Sequence, residues 1–135
     1  MTEPQEISFG DALTAPFWDA ARRRQLVIQH CRACDSHQFY PRPFCLSCDR
    51  DDALEWVEAS GAGTVYSVVT VHMEVLDGLE PPYQVAIVEL AEGPRLTSNI
   101  VGASVAIGEP VRVTWRERPH PDPPVPVFER IEEER

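Results

Sequence analysis

The chain contains no lysine: its 12 basic residues are all arginine and stand against 22 acidic residues, which gives a formal net charge of −10. The absence of lysine excludes Schiff-base catalysis by a lysine side chain, and it also excludes the lysine of a phosphate-binding loop. Nucleic-acid binders neutralise phosphates with clustered lysine and arginine, and the acidic balance of this chain opposes that function.

Long apolar runs are also missing. No segment approaches the roughly 20 apolar residues of a transmembrane helix. The first ten residues, MTEPQEISFG, are polar and acidic, without the basic and apolar regions of an export signal. We therefore expect a cytoplasmic protein in which cysteine thiols stay reduced.

The four cysteines all lie in one stretch of the chain. Cys31 and Cys34 form one C-x-x-C pair, Cys45 and Cys48 form a second, and ten residues separate the pairs. Two such turns that face each other supply the four thiolates of a closed tetrahedral zinc site. Disulfides would need an oxidising compartment, and a redox dithiol uses a single C-x-x-C beside a βαβ unit. The spacing therefore predicts structural Zn2+ bound by Cys31, Cys34, Cys45 and Cys48.

A short helix is predicted ahead of the cysteines, in APFWDAARRRQ, with Thr14 as its N-cap. Helical spacing places four residues on one face: Phe17, Ala20, Ala21 and Arg24. Trp18 points to the side of that face. The helix is too short to be stable alone, so it docks either on this chain or on a partner surface.

Strands are predicted on both sides of the cysteine region. LVIQH leads into the first C-x-x-C turn, and Asp35 and Asp49 stand where such turns need a left-handed residue. From about Glu55 several short strands follow, among them TVYSVVTVHM, which we expect to be covered on both faces. The proline-rich segment VPVF is expected as an edge strand.

The fold class that we predict is mainly β, with an N-terminal helix, a zinc ribbon and a five- to six-stranded barrel. An OB-fold of five strands is the natural size, although periodicity alone does not separate it from an SH3-like barrel. The expected divisions are a leader and short helix in 1–25, the ribbon in 26–52, the barrel in 53–130 and an acidic tail in 131–135.

Residues capable of catalysis occur in no recognised arrangement, and we predict none with a catalytic role. Ser104 in GASVA lacks both the last glycine and the following helix of a nucleophile elbow. The histidines form no zinc-protease or deaminase pattern, and His30 and His37 flank a metal shell that the cysteines already fill. The acidic loop with Glu74, Asp77 and Glu80 is typical of a solvated surface, as is the acidic tail.

These features together resemble a family of small acyl-CoA-associated proteins with a rubredoxin-like zinc ribbon followed by an OB-fold. The resemblance extends from about Phe17 to Phe128. It is carried by the helix and ribbon segments and by GAGTVYSVVTVH, PPYQVAIVELAEG and IGEPVRV. Asp35 and Asp49 depart from the glycines common in this family, and we expect them to affect the geometry of the turns rather than the choice of metal.

The resemblance implies a non-catalytic companion subunit. Members of the family accompany thiolases, lipid-transfer-protein-type aldolases and related condensing enzymes, and some are paired with hydratases in steroid side-chain degradation. The chain is thus expected to form a hetero-oligomer with a thiolase-fold protein, to stabilise it and to lie near its acyl-CoA substrate. Four residues are the expected partner contacts: Phe17, Trp18, Tyr83 and Trp115.

Two other functions stay open at this point. One is a single-stranded nucleic-acid-binding ribbon/OB module, in which Tyr66, Tyr83 and Trp115 would be stacking platforms beside strand arginines. The charge of −10 weighs against it. The other is an independent hydrolase or aldolase, which the absence of lysine and of a nucleophile motif disfavours.

Overall fold

The computed structural model describes residues 11–73 and 79–131. The first ten residues, Glu74 and Asp77 of the acidic loop, and the tail from Glu132 onward lie outside the described residues. Nine elements follow in order: α1 (Ala15–Arg22), β1 (Val27–Cys31), β2 (His37–Gln38), β3 (Leu54–Glu58), β4 (Ala62–Val71), β5 (Tyr83–Leu90), β6 (Arg95–Val101), β7 (Pro110–Arg116) and β8 (Val125–Arg130). No helix in this described part is long and apolar enough to cross a membrane.

Helix α1 begins at a turn that Asp11 holds. The Asp11 carboxylate accepts hydrogen bonds from the backbone N–H and the hydroxyl of Thr14, at 2.9 and 3.0 Å. These bonds lower the pKa of Asp11, the bond from the Thr14 backbone most of all. Thr14 precedes the helix as predicted, but its side chain makes no cap hydrogen bond to it, because the hydroxyl is bound to Asp11.

The helix ends at Arg22, earlier than predicted. Phe17, Ala20 and Ala21 are buried on one face, as the helical spacing predicts. Arg24 does not share that face: its φ of 56° takes the chain out of the helix, and its exposed guanidinium pairs with Glu117.

The smaller sheet has three strands in the order β2-β1-β3. We expected β3 in the barrel, but its five residues pair antiparallel with β1 from Val27↔Glu58 to Cys31↔Leu54. The backbone N–H of Ala59 extends this pairing by donating to the carbonyl of Leu26 at 2.8 Å. The ribbon therefore includes β3, because the second C-x-x-C turn returns the chain alongside β1.

The larger sheet is a closed barrel in the order β4-β5-β6-β8-β7, with β4 pairing to β7. A five-stranded closed barrel is the OB-fold expected from the sequence. We predicted β8 as an edge strand, and this was wrong. The strand pairs with β7 along its whole length, and from Phe128 it also pairs in parallel with β6. Proline lacks the N–H that strand pairing uses. Pro126 is compatible with this position because β8 pairs with β6 only from Phe128 onward, two residues beyond the proline.

A β-bulge in β4 changes which residues face the core. The register between β4 and β5 shifts between Val65 and Ser67, so the inward alternation passes from Val65 to Val68 rather than to Ser67. Tyr66 and Val69 lie on the outward face and are 50% and 59% exposed. The expectation that both faces of this strand are covered is therefore wrong, because the outward face of this barrel strand is open to solvent, and the bulge only changes which residues lie on it.

One hydrophobic core joins the ribbon to the barrel. Its buried members from α1 and around β1 are Phe17, Leu26 and Ile28, and those from the barrel include Val65, Val88, Val111 and Phe128. A second cluster of buried residues is much smaller and consists of Cys31, Cys45 and Ala53. The helix and the base of the ribbon are thus packed on the barrel, while the two C-x-x-C turns lie outside the shared core.

Candidate functional site

The two C-x-x-C turns are built alike. In the first, the Asp35 N–H donates to the Cys31 carbonyl at 2.8 Å, and in the second the Asp49 N–H donates to the Cys45 carbonyl at 2.8 Å. Asp35 and Asp49 have φ of 62° and 65°, as predicted from their positions. Each aspartate directly follows the second cysteine of its turn. Its short polar side chain lets the residue adopt the left-handed conformation at low cost.

The four cysteine sulfurs converge on one point. Their Sγ atoms all lie within 4.8 Å of one another, with 3.7 Å from Cys31 to Cys48 and 3.6 Å from Cys34 to Cys45. A tetrahedral zinc with Zn–S bonds of about 2.3 Å requires sulfurs about 3.8 Å apart. The cysteines are therefore positioned to bind a metal ion, as the spacing predicts, and four ligands leave no open coordination position.

The pKa values of two of the thiols are shifted in opposite directions. The Ser36 hydroxyl lies 3.5 Å from the Cys45 sulfur, and this contact is the main cause that lowers the pKa of Cys45 to about 6. The backbone N–H of Arg50 lowers the pKa of Cys48, but burial and the neighbouring sulfurs outweigh it and raise that pKa to about 12. A bound divalent cation would supply the positive charge that four adjacent thiolates need.

Two buried glutamines hold the chain between the cysteine pairs, and the sequence analysis missed them. Gln38 donates from Nε2 to Oε1 of Gln29 at 2.8 Å and to the carbonyl of Phe44 at 3.1 Å. Gln29 in turn accepts from the N–H of Arg42 and donates to its carbonyl, at 2.8 and 2.9 Å. Gln38 also accepts from the N–H of Leu46 at 3.0 Å. The signal available in the sequence was Gln29, which directly follows the apolar run 26–28; none pointed to Gln38.

His30 ties the first C-x-x-C turn to β3. Its ring nitrogens lie 2.7 Å from Asp35 Oδ1 and 2.8 Å from Glu55 Oε1. Hydrogen bonds to Asp35 first and to Glu55 second raise the pKa of His30. The His37 ring packs beside it with centroids 4.7 Å apart. His30 thus supports the turn directly, and His37 contacts it through the His30 ring.

A groove lies where the helix, the ribbon and the barrel meet. It is formed by α1, the segment 39–42, β6 and β8, and it has a volume of about 620 Å³. The Phe17 ring stands at 4.9 Å from Trp18 and 5.6 Å from Phe39, centroid to centroid. We call this feature the junction groove.

Two of the four predicted partner contacts line the junction groove, and the other two lie on barrel strands and are not among its lining residues. Phe17 and Trp18 line the junction groove, Phe17 from the buried side. Tyr83 begins β5 opposite Val71, and Trp115 lies on β7 opposite Pro126, where it packs against the shared core. Whether any of the four contacts a partner stays a prediction.

A zinc ribbon that shares its core with an OB-fold barrel is the class of protein that this fold and site define. Residues 18–55 match the family model described as ChsH2, rubredoxin-like zinc ribbon domain, and residues 56–116 match that of ChsH2, C-terminal OB-fold domain. The chain belongs to the DUF35 family of such proteins, since it covers 79% of a DUF35 domain-containing scaffold protein from Methanocaldococcus jannaschii at 33% identity.

Other relatives are longer than this chain. It is 44% identical over 116 residues to a probable enoyl-CoA hydratase alpha subunit from Thermomonospora curvata, a match that covers 83% of this chain and 36% of that protein. It is 38% identical to the 3-oxo-4,17-pregnadiene-20-carboxyl-CoA hydratase alpha subunit from Mycobacterium tuberculosis, covering 78% of this chain and 34% of the relative. The chain therefore spans about a third of the length of these two hydratase subunits.

Two solved structures share the fold. A chain of the Ltp2-ChsH2(DUF35) aldolase is 40% identical, with a TM-score of 0.81 over 90% of this chain and 97% of that one. A DUF35 family protein of unknown function from Sulfolobus solfataricus has a TM-score of 0.64 at 15% identity, over 93% of this chain and 90% of its own. The second likeness concerns the fold alone.

Proposed function

We propose that the chain is a non-catalytic accessory subunit that binds and stabilises a thiolase-fold acyl-CoA enzyme. The observation that carries the proposal is the likeness to a chain of the Ltp2-ChsH2(DUF35) aldolase, which extends over 97% of that chain at 40% identity. A likeness over nearly the whole of a subunit supports the same kind of association, because it includes surface as well as core.

The absence of a catalytic role is supported by the metal site. Four cysteine ligands close the coordination shell, whereas catalytic zinc keeps a position open for water or substrate. The archaeal relatives carry the name scaffold protein, which fits a binding role.

The partner and pathway are narrower parts of the proposal. The partner would be a thiolase or a lipid-transfer-protein-type aldolase, acting on steroid side-chain or fatty acyl-CoA thioesters. Two relatives support this substrate class by their names, probable enoyl-CoA hydratase alpha subunit and 3-oxo-4,17-pregnadiene-20-carboxyl-CoA hydratase alpha subunit.

Co-expression with the Ltp2 subunit of that aldolase tests the proposal. We expect native mass spectrometry to detect a hetero-oligomer, and aldolase turnover to require Ltp2 while this chain alone shows none. The ChsH2(DUF35) chain of the same aldolase serves as the positive control. A chain that stays free beside Ltp2 when the positive control assembles would contradict the proposal.

The alternative function is a nucleic-acid-binding module, and one measurement distinguishes it from an accessory subunit. It requires a salt-dependent mobility shift with single-stranded oligonucleotides. We expect no shift, because the chain carries a net charge of −10.

A further inference from the structure

We propose that the junction groove is the docking site for an apolar side chain flanked by carboxylates on the partner enzyme subunit. This inference rests on the proposed function and adds where the partner binds and which chemistry it presents there.

The charged side chains that line the groove are cationic, although the chain as a whole is acidic. Its lining contains Arg42 and Arg95 and, among the described residues, no aspartate or glutamate, although acidic residues outnumber basic ones by 22 to 12 in the whole sequence. Complementary potentials of this kind orient partners and speed their encounter. A carboxylate-bearing segment is therefore the occupant that the lining favours.

Arg42 is the arginine available to such a segment. Arg95 already pairs with Glu89 at 2.9 Å and stacks on the Tyr66 ring at 3.7 Å. The exposed Arg42 guanidinium lies 5.8 Å from the centroid of the Tyr40 ring. Within residues 11–73 and 79–131 the side chain of Arg42 has no ion pair or hydrogen bond, whereas its backbone N–H and carbonyl are both bound to Gln29.

The rest of the lining suits an apolar anchor. Phe17, Trp18 and Phe39 contribute rings, and Tyr40 at the rim is 54% exposed. Tyr, Trp and Arg are the residue types most enriched where single side chains dominate binding energy. The volume of about 620 Å³ accepts a large side chain with its neighbours.

The rim is also fixed before binding. The Gln29 and Gln38 amides satisfy backbone groups of Arg42, Phe44 and Leu46 from inside the ribbon. Because the backbone of the rim is held in this way, docking costs conformational entropy mainly in the exposed side chains and little in the backbone, so more of the contact energy remains as affinity.

The test measures the Kd for Ltp2 of the full chain and of variants at the rim. Tyr40→Ala and Arg42→Glu are expected to raise the Kd at least about 30-fold, which is the threshold of a binding hot spot. Arg42→Ala is expected to make binding less sensitive to salt. The matched controls, Ile107→Ala and Arg112→Ala, remove an exposed apolar side chain and an exposed arginine outside the groove lining, and both are expected to stay within about twofold of wild type. Unchanged zinc content in every variant shows that the ribbon is folded.

The alternative results separate failure of the proposed function from failure of the groove assignment. No binding of the wild-type chain to Ltp2 overturns the proposed function and the inference with it. Normal binding by Tyr40→Ala and Arg42→Glu overturns the groove assignment alone. Saturable binding of free coenzyme A that Arg42→Glu abolishes, with Ltp2 affinity unchanged, identifies the groove as a ligand site and overturns docking there. Self-association of the chain that Tyr40→Ala abolishes, with Ltp2 affinity unchanged, would identify a second copy of the chain as the occupant of the groove and would also overturn docking of the partner there.

Discussion

Replacing Cys45 by serine is expected to release the metal and unfold the ribbon tip, residues 31–53, while the barrel keeps its structure. Cys45 belongs to the smaller buried cluster, which has only three members. The barrel residues belong to the larger cluster, none of whose 13 buried members is a cysteine. The two regions therefore depend on different sources of stability.

The magnitudes favour loss of the tip. Structural zinc contributes about 10–16 kcal/mol of folding free energy in isolated zinc fingers, against a total stability of about 5–15 kcal/mol for an ordinary domain. The smaller cluster has three small buried side chains, and two of them, Cys31 and Cys45, are metal ligands themselves. Burial of such side chains contributes on the order of 1 kcal/mol each. Packing in the tip thus cannot replace the metal, whereas the barrel core does not involve it.

Hydrogen exchange followed by mass spectrometry, with metal analysis of the same sample, measures this outcome. Peptides from 31–53 should exchange almost without protection in Cys45→Ser, and peptides from β5 and β7 should keep their wild-type protection. Ser47→Ala, an exposed change in the same turn, serves as the control and should retain metal. Equal loss of protection in the tip and the barrel would refute the reasoning, because it would make them one cooperative unit.

Three further changes test the packing and the helix start. Gln38→Ala leaves buried partners of its amide unsatisfied and is expected to lower the free energy of unfolding by about 1–3 kcal/mol in urea at saturating zinc; no effect would mean that water replaces the amide. Gly61→Ala should destabilise the chain by at least about 1 kcal/mol more than Gly102→Ala, since both have positive φ but only at Gly61 would a Cβ lie 2.5 Å from a β7 valine; equal losses in urea unfolding would contradict the steric argument. Asp11→Ala should lower Tm at pH 7, and the difference from wild type should shrink in acid. The reason is that the backbone hydrogen bond from Thr14 lowers the pKa of Asp11, so its stabilisation is present above the ordinary carboxyl pKa and is lost as pH falls through the lowered value. A pH-independent difference would exclude the carboxylate as its source.

The metal site was predictable because its determinants are local. Two C-x-x-C pairs fix which sulfurs converge, and Asp35 and Asp49 take the left-handed conformation that such turns require. Alternation and turn residues predicted five to six barrel strands, and the barrel has five. In each case the information lies within a few consecutive residues.

The errors concern pairing between distant segments. Strand β3 joins β1 rather than the barrel, and β8 closes the barrel although Pro126 suggested an edge. The bulge at Tyr66 depends on the register with β5, which alternation within β4 alone does not encode. The junction groove is formed by segments from residue 14 to residue 126, so no local pattern could indicate it.

The shared core limits how the two halves can be recombined. The family models for the ribbon and the barrel meet between residues 55 and 56, which falls inside β3, a strand fully paired with β1. A chimaera that joins one relative's ribbon to another's barrel at that point would take a single ribbon strand from two parents. A junction after Ala59 would keep the strand whole but would still set Leu26 and Ile28 against a foreign barrel. We therefore expect that the ribbon and the barrel can be exchanged between relatives only together, as a single unit.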